Sequence, residues 1–382
     1  VSVPARPDAI VIGAGIVGVA CAAALARDGL RVTIVDKSFA SSGTTSVGMG
    51  HVVAMDDSPE QLALTAYAHR LWRELSPYLD ARSELDACGT LWVAEDPAQL
   101  SDLLGKQRVY ASAGVDSEVL DPRGLAQAEP NLRQGLAGAL RVGADSVVYP
   151  PGVTLRLLDI ARSYGAVLRE GVEVREIIPN GVRCAAETLH ADIVVNAAGT
   201  SAPRLTPQLP IVPRKGHLAI TDRYPGFCRH QIVELGYLAS AHVMTNESVA
   251  FNVQPRSTGQ VLIGSSRELA GWNAAINADI LRRMLARAVS FMPSIARLNI
   301  VRTWTGFRPA TSDSLPMIGQ WAPVPGLWIA AGHEGLGITT SLATADLIAD
   351  QIAGRYTVID PAPYSPMRAL EFSIPASIPA SA

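Results

Sequence analysis

The chain lacks the residue patterns that mark metal, nucleic-acid and membrane proteins. It has four cysteines in 382 residues, Cys21, Cys88, Cys184 and Cys228, and none stands in a C-x-x-C pair. Neither a metal site nor a redox dithiol is therefore indicated. The seven histidines show no H-E-x-x-H or similar ligand spacing, so no metal is expected. Lys and Arg number 32 against 35 Asp and Glu, giving a net charge of −3 with no basic stripe. That balance argues against nucleic acid as a partner. No apolar run approaches the roughly 20 residues that span a bilayer. The first residues, VSVPARPD, carry no signal-type hydrophobic stretch, and a cytoplasmic location is expected.

What is present suits a soluble globular protein. Apolar residues make up 48% and charged residues 18%, enough for two domains with ample core. The most informative stretch is residues 10–36, IVIGAGIVGVACAAALARDGLRVTIVD. An apolar run meets Gly13-Ala14-Gly15-Ile16-Val17-Gly18, an Ala-rich helical pattern follows, and a second β-branched run ends at Asp36. Gly13 permits a tight turn, Gly15 lets a pyrophosphate approach the backbone, and Gly18 lets helix and strand pack closely. The helix N-terminus then offers free N–H groups and a favourable dipole to the pyrophosphate. An acid at position 36 accepts from ribose hydroxyls and repels a 2′-phosphate. The stretch reads as the adenosine half of a dinucleotide site.

Further along, PEQLALTAYAHRLWRELSPYL (59–79) carries Leu62, Tyr67, Leu71 and Leu75 at helical spacing, started by Asp57-Ser58-Pro59. GTLWVAED reads as a strand, and 97–130 as short helices stopped at Glu129-Pro130. Residues 149–177 read as a helix, a Gly165 cap and a strand, and 191–200 as a buried strand running into a glycine turn. Alternating runs at 211–221, 247–254, 259–265 and 299–307 predict strands, interrupted by one helix over 275–292. Residues 326–354 read as strand, glycine loop and long helix, and the tail 373–382 as disordered. Stretches of nucleotide-binding character are thus scattered, with β-rich material between them.

Three segments make chemical sense together: the glycine fingerprint, the turn Asn196-Ala197-Ala198-Gly199-Thr200, and Gly332-His333-Glu334-Gly335-Leu336-Gly337-Ile338-Thr339-Thr340. The third opens a helix whose N-terminus and dipole suit the negative charge near N1 and O2 of a reduced flavin.

With these motifs in order, and with GTTS-x-GMG at 43–50 and G-x-RP-x-T-x-D-x-x-P-x-IG at 306–319, the chain resembles the D-amino-acid-oxidase-type (DAO) FAD-dependent oxidoreductases over about residues 8–355. In flavour it is most similar to the flavin subunits of D-hydroxyproline and proline-type dehydrogenases. The resemblance implies an α/β fold: an FAD-binding Rossmann-like domain of the glutathione-reductase type (1–85, 146–208 and 311–382) with an interleaved β-rich α+β substrate domain (86–145 and 209–310). It implies non-covalent FAD, since no Cys lies in 303–310 and His51 sits a few residues beyond the position of a flavin-linked His.

The same resemblance assigns site residues. Gly13, Gly15, Ile16, Val17, Gly18, Asp36 and Lys37 would hold the ADP half. Thr44, Thr45, Ser46, Gly48, Met49, Gly50 and His51 would run along the ribityl chain and flavin face. Val174 would meet adenine through its backbone, Ala198 and Gly199 would turn against the cofactor, and Gly306 would lie beside it. Gly332, Gly335, Leu336, Gly337, Ile338 and Thr339 would lie against the pyrimidine ring. Arg308 would clamp a substrate carboxylate, with Asp313 following in register; a guanidinium fork binds a carboxylate bidentately and keeps its charge. Asn252 stands where some amino-acid oxidases have a carboxylate-binding Tyr. Arg267 is open between a second anion contact and a solvent-facing role. His51 and His217 are open between tuning the amine and plain packing.

The implied activity is oxidation of the C–N bond of a small amino or cyclic imino acid by hydride transfer from Cα to flavin N5, with D-hydroxyproline or D-proline first. Glycine, sarcosine, other D-amino acids and opines stay open, as does the choice between an oxidase and a dehydrogenase. The resemblance leaves room for partner subunits carrying an iron–sulfur centre or a second flavin, and for peripheral membrane association. Two other readings stand beside it. An NAD-dependent dehydrogenase explains the fingerprint but gives GHEGLGIT no purpose. A non-catalytic FAD-bearing subunit explains the cofactor loops but not Arg308.

Overall fold

The computed structural model describes residues 6–236 and 247–370, so the tail over 373–382 lies outside the described residues. The chain begins with β1 (Ala9–Ile12), α1 (Ile16–Arg27), β2 (Val32–Val35), β3 (His51–Val52) and α2 (Pro59–Leu75). There follow β4 (Thr90–Ala94), α3 (Pro97–Ser112), β5 (Glu118–Leu120), α4 (Pro122–Ala128), β6 (Gly138–Val142) and β7 (Ser146–Val147). Next come α5 (Pro150–Ser163), β8 (Val167–Arg169), β9 (Val174–Ile178), β10 (Gly181–Cys184), β11 (Thr188–His190), β12 (Ile193–Asn196) and α6 (Ala202–Leu205). The last third holds β13 (Val212–Arg223), β14 (Gln231–Glu234), β15 (Glu247–Pro255), β16 (Gln260–Glu268) and α7 (Ala278–Phe291). It closes with β17 (Ile300–Ala310), β18 (Met317–Gln320), β19 (Leu327–Ala331) and α8 (Gly337–Ile352).

Six strands form one sheet in the order β18-β19-β12-β1-β2-β8, parallel except at the β18 edge. Such a sheet is buried on both faces, and β1 shows how. Its Ala9 and Val11 join the core formed with α1, α2, α5 and α8, while Ile10 and Ile12 join a second core with β10 and β12. Small residues on α1 (Val19, Ala22, Ala26) let it pack closely against α8.

Eight strands form the other sheet, ordered β17-β13-β16-β15-β14-β4-β6-β5, in which, among the described residues, β14 and β4 pair parallel and the other neighbours antiparallel. Period-two alternation divides its faces. Leu91, Ile232, Phe251 and Val253 pack under α7 with Met284, Ala288 and Phe291, and the Phe251 and Phe291 rings stack at 4.4 Å. Asn277 starts α7 by accepting from the Asp279 and Ile280 amides. Trp92, Val233, Asn252 and Gln254 belong to the opposite face, where Gln254 Nε2 donates to the Met49 carbonyl at 2.6 Å.

Two local readings needed revision. Within 97–130 the chain forms the edge strand β5 between α3 and α4, a three-residue strand too short to register as alternation. The 59–79 helix stays α-helical only to Leu75 and tightens into a 3-10 turn over Ser76–Tyr78, where Pro77 lacks the N–H that would continue the ladder. No described helix is long and apolar enough to cross a membrane.

Candidate active site

A cavity of about 640 Å³ runs between the C-terminal ends of the parallel strands and the polar face of the large sheet. That is a size typical of cofactor sites. The small-residue loop and the large sheet are tied in both directions: Thr44 Oγ1 donates to the Phe307 carbonyl at 2.8 Å, and Trp304 Nε1 to that of Val47 at 3.1 Å. Gly306 makes room for this contact, because a Cβ there would come within 2.4 Å of Val47 Cγ2.

The adenosine end is made largely of backbone. Gly13 has φ +106°, and a Cβ on it would lie 2.6 Å from the Ala197 carbonyl. Gly18 does not line the cavity; a Cβ there would sit 2.0 Å from the Gly13 carbonyl, so its smallness sets the α1–β1 packing. Thr45 Oγ1 accepts the Ile16 amide at 3.1 Å, and the Val19 amide reaches Gly15, leaving the Val17 and Gly18 amides without helical acceptors. Asp36 is fixed by the Ala14 and Ser38 amides at 2.7 and 2.8 Å, one on each oxygen. Each oxygen keeps a second lone pair for a ribose hydroxyl. Lys37, Val174, Ala198 and Gly199 line the same end. A glycine turn packed on the Ala197 carbonyl, a helix N-terminus and a fixed carboxylate together fit the adenosine diphosphate part of FAD.

At the other end, Gly48, Met49, Gly50, His51, Gly335, Gly337 and Ile338 line the cavity with Gly306 and Arg308. Four expected contacts, Ser46, Gly332, Leu336 and Thr339, are absent from its wall. Ser46 Oγ donates to the Ser42 and Gly43 carbonyls instead. Gly332, at φ +82°, makes the turn into the loop against Thr311. Thr339 ties that loop to the first by donating from Oγ1 to the His51 carbonyl at 2.9 Å. Leu336 faces a smaller adjoining chamber. Among the described residues the main wall contains no cysteine, and no group of His, Cys, Asp and Glu could hold a metal.

Arg308 lies across β13. Its guanidinium would collide with a Cβ at Gly216, 2.5 Å from Nη1, and Nη1 donates to the Ser266 carbonyl at 2.9 Å. Gly216 has no signature in the sequence; it becomes meaningful only because register places it opposite Gly306, two residues from Arg308. Asp313 does not accompany Arg308 but pairs with Arg368 at 2.7 Å. Arg267 does not face solvent: it is 4% exposed, and its Nε donates to Glu334 Oε1 at 3.2 Å. Arg214 Nη1 lies 3.6 Å from the same oxygen. Burial pushes the Glu334 carboxyl up, but Arg267, then Arg308 and Arg214, outweigh it and hold the group at about 2. Glu334 is therefore ionised at neutral pH. It stood in the GHEGLGIT segment without a role, and a charge inside a glycine loop at a strand-to-helix junction is the signal that marks it.

The histidines separate cleanly. His217 Nε2 accepts the Asn277 amide at 2.9 Å and Nδ1 faces Ser266 Oγ at 3.0 Å, so it braces β13, β16 and the start of α7 outside the cavity. His51 lines the cavity, and its Nδ1 is buried without a hydrogen bond. Burial lowers its pKa below 6.5, Gln231 opposes this, and Arg308 adds to it. The Gln231 side chain faces the ring without closing a hydrogen bond. Asn252, 4% exposed, also lines the cavity, with Oδ1 unpaired. The site thus offers an anchored guanidinium, a neutral imidazole and an amide beside the loop that would hold a flavin ring.

The family model for FAD dependent oxidoreductases (DAO) matches residues 8–351. A glycine oxidase of Geobacillus kaustophilus is 28% identical over 379 residues, covering 94% of this chain and 96% of that protein. A D-amino acid dehydrogenase of Cereibacter sphaeroides is 29% identical over 419 residues, covering 92% and 93%. The crystal structure of L-proline dehydrogenase from P. horikoshii superposes with a TM-score of 0.87 at 23% identity, covering 97% of this chain and 99% of that one, which speaks to the fold.

Proposed function

The chain belongs to the family of FAD dependent oxidoreductases, and from that premise we propose that its substrate is a small amino or cyclic imino acid, with D-proline or D-hydroxyproline first. FAD-dependent oxidation of an amino acid is supported by the glycine oxidase and D-amino acid dehydrogenase relatives. The finer assignment is ours, and so are non-covalent FAD and the division into a cofactor part around the parallel sheet and a substrate part around the large one.

The observation that carries the reading is Arg308, anchored at one nitrogen to Ser266 and lining the cavity beside Asn252 and the helix that starts at Gly337. FAD, when bound, supplies the two-electron acceptor for the C–N bond. The rest is done by side chains. Arg308 seats the substrate carboxylate through its guanidinium. Asn252 orients the same end. The Arg308 charge that helps lower His51 acts with the same sign on a substrate amine and favours its neutral form. His51, neutral above its lowered pKa, stands ready to accept the amine proton directly or through water.

The test is an anaerobic titration of the purified protein, read in the flavin band. D-hydroxyproline, D- and L-proline, glycine, sarcosine, D-alanine and an opine would be added in turn. Bleaching by D-proline or D-hydroxyproline ahead of the rest supports the reading. Bleaching by glycine or D-alanine alone moves the substrate toward those of the glycine oxidase and D-amino acid dehydrogenase relatives. Admitting air then separates an oxidase, which reoxidises quickly, from a dehydrogenase that hands electrons to another acceptor or subunit. Arg308→Ala with unchanged turnover and affinity would leave the chain as an FAD-bearing subunit without chemistry.

A further inference from the structure

A second chamber of about 40 Å³ adjoins the main cavity and shares His51, Asn252, Glu334 and Gly335 with its wall. Its distinguishing feature is a set of buried polar atoms with no hydrogen-bond partner: His51 Nδ1, Trp92 Nε1, Gln231 Oε1 and Asn252 Oδ1. Trp92, Gln231 and Asn252 are 1%, 3% and 4% exposed. Buried polar atoms are almost always satisfied, and an unmet one is destabilising. Even with His51 and Gln231 facing one another, the indole N–H and the Asn252 amide oxygen mark a place built for a polar occupant.

Sheet register put them there. Asn252 is opposite Val233, and Val233 opposite Trp92, so the three share one cross-strand row. Gln231, two residues before Val233, points to the same face. The Trp92 ring is held from another side by Lys106, whose Nζ lies 4.2 Å from the ring centroid and pairs with Asp56. The indole N–H is thus a placed donor, and the amide and imidazole atoms are placed acceptors or donors according to tautomer and flip. A volume of about 40 Å³ has room for little more than one or two heavy atoms.

We propose that this chamber is a specificity subsite for a hydroxyl on the substrate, so that the preferred amino or imino acid carries a hydroxyl one or two carbons from Cα. A hydroxyl both donates and accepts, fits the volume, and meets the indole N–H and an amide oxygen together. The inference rests on the reading that Arg308 seats a carboxylate in the main cavity.

The test uses the FAD-loaded protein and two carboxylates that cannot be oxidised as amines, propionate and 3-hydroxypropionate, with binding read from perturbation of the flavin band. The expected result is about tenfold tighter binding of 3-hydroxypropionate. The preference should fall below about threefold in Gln231→Leu, and likewise in Trp92→Phe, which keeps a ring over Lys106 and serves if the first variant does not fold. Equal affinities in the wild type overturn the proposal, the chamber then holding water only; so does a full preference surviving in a folded variant. The two readings fail separately. Amino acids that bleach the flavin without any hydroxyl preference remove the subsite and leave the proposed function. A hydroxyl preference with no amine oxidised removes the proposed function and leaves the subsite.

Discussion

The two walls of the cavity are built by different means. The wall from the parallel sheet is backbone and absence: Gly13, Gly15, amides at the α1 N-terminus, and one carboxylate held by two amides. The wall from the large sheet is side chains: Arg308 across Gly216, and Asn252. A backbone cradle depends on a short contiguous sequence. A side-chain wall depends on register among strands far apart in the chain. The first admits no Cβ at Gly13, and the second is tuned one group at a time.

The sharpest break of that contrast is Gly18→Val. Its Cβ would stand 2.0 Å from the Gly13 carbonyl, backbone that cannot yield without separating α1 from β1. The expected outcome is protein that aggregates or purifies without a flavin band, and a normal ratio of flavin absorbance to protein would show that the cradle is less rigid than this packing implies. Arg308→Ala tests the opposite wall. Flavin content should stay near wild type while kcat/KM falls about 10²–10³-fold, roughly 3–4 kcal/mol. Gly216→Ala sharpens the point without touching the charge: the guanidinium must shift to clear a Cβ at 2.5 Å, and a KM rise of about tenfold in steady-state assays is expected.

This contrast also explains what the sequence made legible. The βαβ unit, the NAAGT turn and the glycine loop announce themselves locally because each needs particular small residues at fixed spacing. Most strands of the large sheet were visible from alternation, but their order was not. Trp92 and Asn252 are 160 positions apart in the sequence and meet only because β14 lies between β4 and β15. Gly216 looked like any strand glycine until Arg308 was seen lying on it. Arg267 could not be placed from sequence because its partner, Glu334, comes from the far end of the chain. The short edge strand β5 was missed because three residues carry no period. The finer likeness to hydroxyproline-type flavin subunits found no specific support, since glycine oxidase and D-amino acid dehydrogenase relatives match comparably well across the chain.

His333 sits where the two walls meet, lining the cavity with Nε2 against Thr344 Oγ1 at 2.9 Å. Burial lowers its pKa from 6.5 to about 3. The unfolded chain therefore takes up a proton that the folded one refuses, and this contribution to stability is complete above pH 6.5 and drains away as pH falls toward 3. The expected slope from this group is about 1.4 kcal/mol per pH unit. Urea midpoints of the wild type and His333→Gln, measured between pH 7 and pH 4, should converge as the pH falls; parallel curves would place the proton elsewhere.

The smallest expected effect separates the cradle from its cofactor. Thr45 Oγ1 occupies the Ile16 amide, one of the few first-turn donors of α1 that a pyrophosphate could otherwise use. Thr45→Val keeps the shape and removes the acceptor. In the flavin-free protein the exposed amide should cost about 1 kcal/mol, as for a lost helix cap. If the pyrophosphate lies on this end of α1, it can take over the vacated amide, and the loaded protein should lose less than the free one. Urea unfolding of both forms distinguishes the cases. A smaller loss with FAD places the phosphates at Ile16. An equal loss in both forms leaves them to the Val17 amide, with Thr45 serving the helix and not the ligand.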